Sequence, residues 1–166
     1  MADFEWELAD ALNQFFDREE IKAIAYRLKQ SRYTSQVVDL LVDSIHPRYY
    51  LAIECKSLDA RKAKTLYFSQ HFSKARGAHQ VDRAEEFISI SGRRGILAVE
   101  LRRGAGNPKC AHLVPWDVVI NCFRSEVPGL SVEQIETYPC LARSGRSYLI
   151  EGDELKDAVS GLGPYP

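Results

Sequence analysis

The sequence predicts an α/β domain built on a mixed central β-sheet flanked by helices. Three observations lead there. The chain has 166 residues, enough for one good hydrophobic core and short for two. Its apolar periodicity changes along the chain in the order helix, strands, helix, strands, which fits a sheet covered by helices. No repeat, low-complexity run or linker divides it.

The first element is an amphipathic helix. Phe4, Leu8, Ala9, Leu12, Phe15 and Phe16 recur at helical spacing behind Asp3, a suitable N-cap. Glu5 lies one turn before Leu8 and Ala9, near the buried stripe. The simplest role for Glu5, and for Glu7 beside it, is to complement the helix dipole. A short strand is expected over residues 21–28, then a Ser-, Thr- and Gln-rich exposed loop over 29–36. Residues 37–42 and 49–56 read as two strands. The turn residues Asp-Ser-Ile-His-Pro-Arg between them make the pair an antiparallel hairpin.

A basic stretch with a short strand at 65–68 leads to a second helix over 79–91. Val81, Ala84, Phe87 and Ile88 form its apolar face and Gly92 its stop. Strands at 96–101 and 111–114 form a further pair, and Pro115-Trp116-Asp117 opens a short helix through Phe123. Ser131 and Gln134 have capping-box spacing before another short helix. A hairpin around Ser144-Gly145 and a helical stretch from Asp153 to Ser160 follow.

Composition narrows the function. Hydrophobic residues are 45% and charged residues 27%, as in ordinary globular domains. No apolar run approaches the roughly 18 to 20 residues that span a bilayer. The acidic first residues lack the pattern of a signal peptide, so an intracellular, cytoplasmic location is expected. Cys55, Cys110, Cys122 and Cys140 show no Cys-x-x-Cys and no His at zinc-ligand spacing, so buried reduced thiols are expected. Net charge is -1, so bulk charge announces no nucleic-acid partner. Locally, Arg61, Lys62 and Lys64, then Lys74 and Arg76, Arg93 and Arg94, and Arg102 and Arg103 form basic clusters. Solvated loop charge and phosphate contacts both remain open as readings.

The chemistry concentrates in Asp39 and the Glu54-Cys55-Lys56 triplet. Alternation in a strand sends Glu54 and Lys56 to one face and Cys55 to the other, with Leu51 and Ile53. Asp39 is flanked by Val37, Val38, Leu40, Leu41 and Val42. Charges in such apolar strands are costly unless partnered. If the hairpin forms, Asp39 and Glu54 come side by side, and a divalent cation would relieve their repulsion. Hard carboxylate oxygens suit Mg²⁺ or Mn²⁺. Lys56 would position a water or neutralise phosphoryl charge. A loose ion pair on an exposed strand face is the alternative for Glu54 and Lys56.

Asp39 followed by Glu54-Cys55-Lys56, at the end of Tyr-Leu-Ala-Ile, resembles the PD-(D/E)xK motif of the restriction-endonuclease-like nucleases. The surroundings resemble one branch, the archaeal Holliday-junction resolvases, over roughly residues 2 to 120. Glu5 on the first helix, Arg27 at a strand end, Ser31 in the following loop and Gln80 at a helix start fit that order. The resemblance implies a restriction-endonuclease-like sheet and a DNA endonuclease acting on four-way junctions as a homodimer. It implies Mg²⁺ or Mn²⁺ held by Asp39, Glu54 and Glu5, with Glu7 the rival to Glu5. It further implies Lys56 as base or electrostatic partner, and Gln80 and Ser31 in support. DNA contacts would come from Arg27, Ser31, Arg32, Arg61, Lys62, Lys64, Lys74 and Arg76. Residues 1–125 would form the nuclease core, with 126–166 an extension packed on the same domain. The chain departs from the pattern in Val38, where the motif has proline, in its slight acidity, and in a longer segment over 57–78. A nuclease cutting duplex or single-stranded DNA, or a catalytically silent DNA-binding module, is the alternative.

Overall fold

A computed structural model describes residues 3–29 and 36–160, without the side chains of 157–160. Helix α1 (Phe4–Arg18) starts at Asp3, whose carboxylate accepts the Glu5 amide at 3.2 Å. Strands β1 (Ala23–Arg27) and β2 (Leu40–Ser44), a 3-10 turn (Pro47–Tyr49) and the long β3 (Leu51–Asp59) follow. Next come β4 (Thr65–Tyr67), the one-turn helix α2 (Phe68–His71), and the small hairpin of β5 (Lys74–Ala75) and β6 (Ala78–His79). The rest is α3 (Gln80–Ser91), β7 (Arg94–Arg102), β8 (Cys110–Pro115), α4 (Trp116–Arg124), β9 (Gly129–Ser131), α5 (Val132–Ile135), β10 (Cys140–Ser144), β11 (Ser147–Leu149) and α6 (Asp153–Ser160).

The main sheet has the order β1-β2-β3-β7-β8-β10-β11. β3 and β7 run parallel from Leu51↔Arg94 to Asp59↔Arg102, and the other neighbours are antiparallel. A parallel pair needs a crossover connection, and the segment carrying α3 supplies it. The sheet is therefore mixed and covered by helices, as its periodicity predicts.

Alternation along β3 feeds two cores. Leu51, Ile53 and Cys55 pack with Leu8, Leu12, Phe15 and Phe16 of α1. Ala52 and Leu58 face Val81, Ala84 and Ile88 of α3 and Trp116, Val119 and Ile120 of α4. Gly95 lets α4 come close, because a Cβ there would lie 2.5 Å from the Cβ of Trp116. Gly92 ends α3 in the left-handed region at φ 71°.

β2 begins at Leu40 rather than at Val37. The Asp39 carboxylate takes the Cys55 amide at 2.7 Å, a donor that a longer ladder would give to a backbone carbonyl. The strand at 65–67 pairs with β9, outside the main sheet. Of the cysteines only Cys55 is buried; Cys110 and Cys122 are half-buried and Cys140 is exposed, which corrects the expectation of buried thiols. No helix among the described residues is long and apolar enough to cross a membrane.

Candidate active site

β3 is buried through Cys55 and surfaces at Lys56. Glu54, just before that exit, is 2% exposed. Its Oε1 receives two donors: Lys56 Nζ at 2.7 Å and Gln80 Nε2 at 2.8 Å. Gln80 opens α3, and its own amide oxygen accepts the Ser73 amide at 3.1 Å, which fixes the nitrogen toward Glu54. The Lys56 ammonium also lies 4.7 Å from the centre of the Phe72 ring. Glu54 Oε2 is buried and has no hydrogen-bond partner among the described residues.

Asp39 approaches from the neighbouring strand, one place beyond the Leu40↔Ile53 pair. It is half-buried, with Oδ2 on the Cys55 amide and Oδ1 accepting Gln36 Nε2 at 2.8 Å. Burial first, and then the Glu54 charge, push the Asp39 carboxyl up to about 8 against the lowering effect of the Cys55 amide. Burial also raises Glu54, by more than Lys56 and Gln80 lower it. Two carboxylates resist ionising together, and one has a buried oxygen with no partner among the described residues, a conflict that a divalent cation would relieve. The donors are hard oxygens, so the residues present fit Mg²⁺ or Mn²⁺.

Glu5 adds to the negative field felt by both Asp39 and Glu54. Its Oε2 is held by Arg27, with Nε at 2.9 Å and Nη2 at 2.6 Å. Arg27 also pairs with Asp3 at 2.9 Å and stacks over Trp6. Glu7 instead pairs with Arg143, so of the two helix carboxylates Glu5 is the one near the site. Ser31 and Arg32 lie outside the described residues.

The basic clusters separate by partner. Arg61 is bound to Asp59 at 2.8 Å, Arg93 to Asp43 at 2.8 Å, and Arg103 to Glu136. Lys62, Lys64, Lys74 and Arg76 are exposed and pair with no carboxylate among the described residues. Lys62 and Lys64 follow the end of β3, and Lys74 and Arg76 belong to the hairpin leading into Gln80.

One buried carboxylate lies outside the set the sequence motif marks. Glu100 on β7 is 3% exposed, accepts Ser57 Oγ at 3.0 Å and Tyr148 Oη at 2.6 Å, and lies 3.8 Å from Lys109 Nζ. Burial, then the bond to Glu100, raises the Tyr148 hydroxyl. Glu100 lines a cleft with Glu5, Lys56, Ser57, Arg102 and Lys109. The signal was present: a carboxylate inside Ile-Leu-Ala-Val-Glu-Leu is the same oddity that marks Asp39.

No family model matches the chain, and no curated protein matches it. Among solved structures, the chain is similar to Hjc, a Holliday junction resolvase from the archaeal hyperthermophile Archaeoglobus fulgidus. The two share 18% identity and a TM-score of 0.47, over 92% of this chain and 96% of that one.

Proposed function

We propose that the protein is a divalent-metal-dependent endonuclease that hydrolyses phosphodiester bonds in DNA, with the four-way junction as its favoured substrate. One observation carries the reading: the buried Oε2 of Glu54, without a hydrogen-bond partner among the described residues, beside the half-buried Asp39 carboxylate, with Lys56 at the exit of the same strand. Asp39 and Glu54 would hold Mg²⁺ or Mn²⁺, with Glu5, now engaged by Arg27, as the third carboxylate. Such a cation supplies Lewis-acid stabilisation of a phosphoryl oxygen and a bound water of lowered pKa.

The remaining work falls to the chain. Gln80 and Lys56 both occupy Oε1 of Glu54, which fixes the carboxylate plane and keeps Oε2 turned away from competing donors. The Lys56 ammonium, held between Glu54 and the Phe72 ring, positions the attacking water or offsets charge on the phosphoryl oxygens. Lys62, Lys64, Lys74 and Arg76 contact backbone phosphates, which positions DNA without reading its sequence. Selection then rests on the shape and bending of the DNA. The junction preference, the homodimer and a nucleoid-associated location rest on the sequence resemblance around Arg27, Ser31 and Gln80. Residues 1–125 serve as the nuclease core, and 126–166 as an extension whose β10 and β11 continue its sheet.

The test is cleavage of a labelled four-way junction, with linear duplex and single strand alongside, in Mg²⁺, Mn²⁺ and EDTA. Metal-dependent paired nicks in the junction, abolished by Asp39→Ala, are expected. Cutting of duplex or single strands instead would keep the site and discard the junction. Junction binding without any cutting would replace the enzyme by a silent binding module.

A further inference from the structure

Cys110, His112 and Cys140 have no part in the nuclease reading. β8 and β10 pair with Cys140 opposite His112, and Cys110 sits two places from His112 on the same strand. Residues two apart on a strand share a face, as do directly opposed residues. Register alone therefore gathers the three on one face of the sheet. Their ligand atoms all lie within 4.8 Å of one another, and Cys110 Sγ is 3.5 Å from His112 Nε2. Zinc bonds of about 2.3 Å to sulfur and about 2.05 Å to nitrogen, at the tetrahedral angle, put S and N about 3.55 Å apart.

The histidine is already set for a metal. His112 Nδ1 lies 3.0 Å from the Tyr138 carbonyl. A carbonyl oxygen only accepts, so Nδ1 carries a proton, and in the neutral ring the lone pair of Nε2 lies toward Cys110. Metal-bound histidines have this arrangement, one nitrogen donating to a carbonyl and the other ligating. His112 is 5% exposed, so a thiol, a weak partner, is otherwise what its buried Nε2 meets. Arg103, which pairs with Glu136, brings positive charge to the Cys110 side of this face.

We propose that Cys110, His112 and Cys140 form a zinc site separate from the carboxylate site, fastening β10 to β8. Two soft thiolates and an imidazole select Zn²⁺ over Mg²⁺. Cys140 is exposed, so water would be available to complete the coordination. The mechanical sense is clear. β10 joins β8 through only the Cys140↔His112 and Leu141↔Ala111 pairs, and a metal across that short join would reinforce it. Sequence spacing concealed the site because the third ligand arrives by strand pairing and not from a Cys-x-x-Cys loop.

The experiment uses the full chain, stripped of metal under a non-thiol reductant and titrated with Zn²⁺ and with Co²⁺ as a spectroscopic probe. One equivalent of either ion is expected at this site, counted in Asp39→Ala so that the carboxylate site does not contribute. Cobalt should give a sulfur-to-metal charge-transfer band and tetrahedral d–d bands that excess Mg²⁺ and Asp39→Ala leave unchanged. Cys140→Ser, at an exposed position, should keep the circular dichroism spectrum while Zn²⁺ affinity falls at least about 100-fold. Cys122→Ser should bind like the parent chain. A cobalt spectrum without the sulfur band, or one indifferent to Cys140→Ser, would overturn the site. So would failure to bind zinc when reduced together with a Cys110–Cys140 disulfide on oxidation, which would make the pair a redox couple.

Discussion

Asp39 and Glu54 sit where burial favours the protonated form of both, with the Glu54 charge adding to it at Asp39 and the Glu5 charge at each, and this has a consequence for stability. An aspartate in the unfolded chain titrates near 3.9, whereas Asp39 in the fold titrates at about 8. Between those values the folded state binds more protons than the unfolded one, so without metal stability falls as pH rises through that window. Asp39→Asn removes the titrating group. In thermal melts with EDTA, the parent chain should lose Tm between pH 5 and pH 8, and the variant should lose much less. Saturating Mg²⁺ should restore the parent chain more at pH 8 than at pH 5, because it displaces a proton at the lower pH, and should leave the variant unmoved. An equal slope in Asp39→Asn would place the proton elsewhere.

At the scale of single elements, close approach and turn geometry decide more than propensity. Gly95 on β7 lies beneath Trp116, and a methyl group would meet the Cβ of that residue at 2.5 Å. Both partners are anchored in backbone, so Gly95→Ala should destabilise by about 1–3 kcal/mol or more, read from urea unfolding at constant m-value. The β5–β6 hairpin turns at Arg76 and Gly77, with φ 53° and 78°. Arginine is a poor choice for the left-handed region, at a cost of roughly 1–2 kcal/mol, and it lies exposed without a carboxylate partner among the described residues. Arg76→Asn, which tolerates that region, should leave Tm equal or higher. The same change should weaken DNA binding and reduce the slope of log K against log salt by about 1. A loss of stability without loss of affinity would make the tip structural. These elements also show what the sequence could disclose. Helical spacing from Phe4 to Phe16 and the turn chemistry between residues 42 and 49 gave α1 and the β2–β3 hairpin, because each signal is local. β4 pairing with β9, and β5 with β6, rest on two- or three-residue ladders too short to carry a period. Asp39, Glu54 and Lys56 were legible as charges in apolar strands. The link from Gln80 to Glu54 was reached through family order alone. Glu100 lies on β7, outside the β2–β3 pair that carries the motif, and its partners Ser57 and Tyr148 come from distant parts of the chain.

For the whole molecule, the outstanding question is what covers the far edge of the sheet. Among the described residues β1 ends the main sheet, next to β2 alone, and Ile24 on it is 58% exposed. Trp6 on the adjacent α1 is 62% exposed, and Tyr26 on the same strand 36%. Asn13 of α1 donates to the Ala25 carbonyl and accepts the Ala25 amide, so it is the apolar side chains, and not the strand backbone, that are left for another chain. Trp6 also lies under Arg27, which joins Asp3 and Glu5, so this edge is coupled to the helix carboxylate nearest the candidate site. A second copy seated here, about a two-fold axis, would bury the apolar patch while placing two sites on one particle, as paired nicking of a junction requires. Ile24→Lys puts a charge on the edge without touching the core, since Ile24 points to solvent. Light scattering should show the parent chain at twice the monomer mass and the variant at the monomer mass, with Tm nearly unchanged at low concentration. Junction cleavage by the variant should continue as unpaired single nicks, because Asp39, Glu54 and Lys56 are intact. If the parent chain is monomeric and still cuts in pairs, the edge has another partner. If the variant stays dimeric, the two-fold contact lies on a different face.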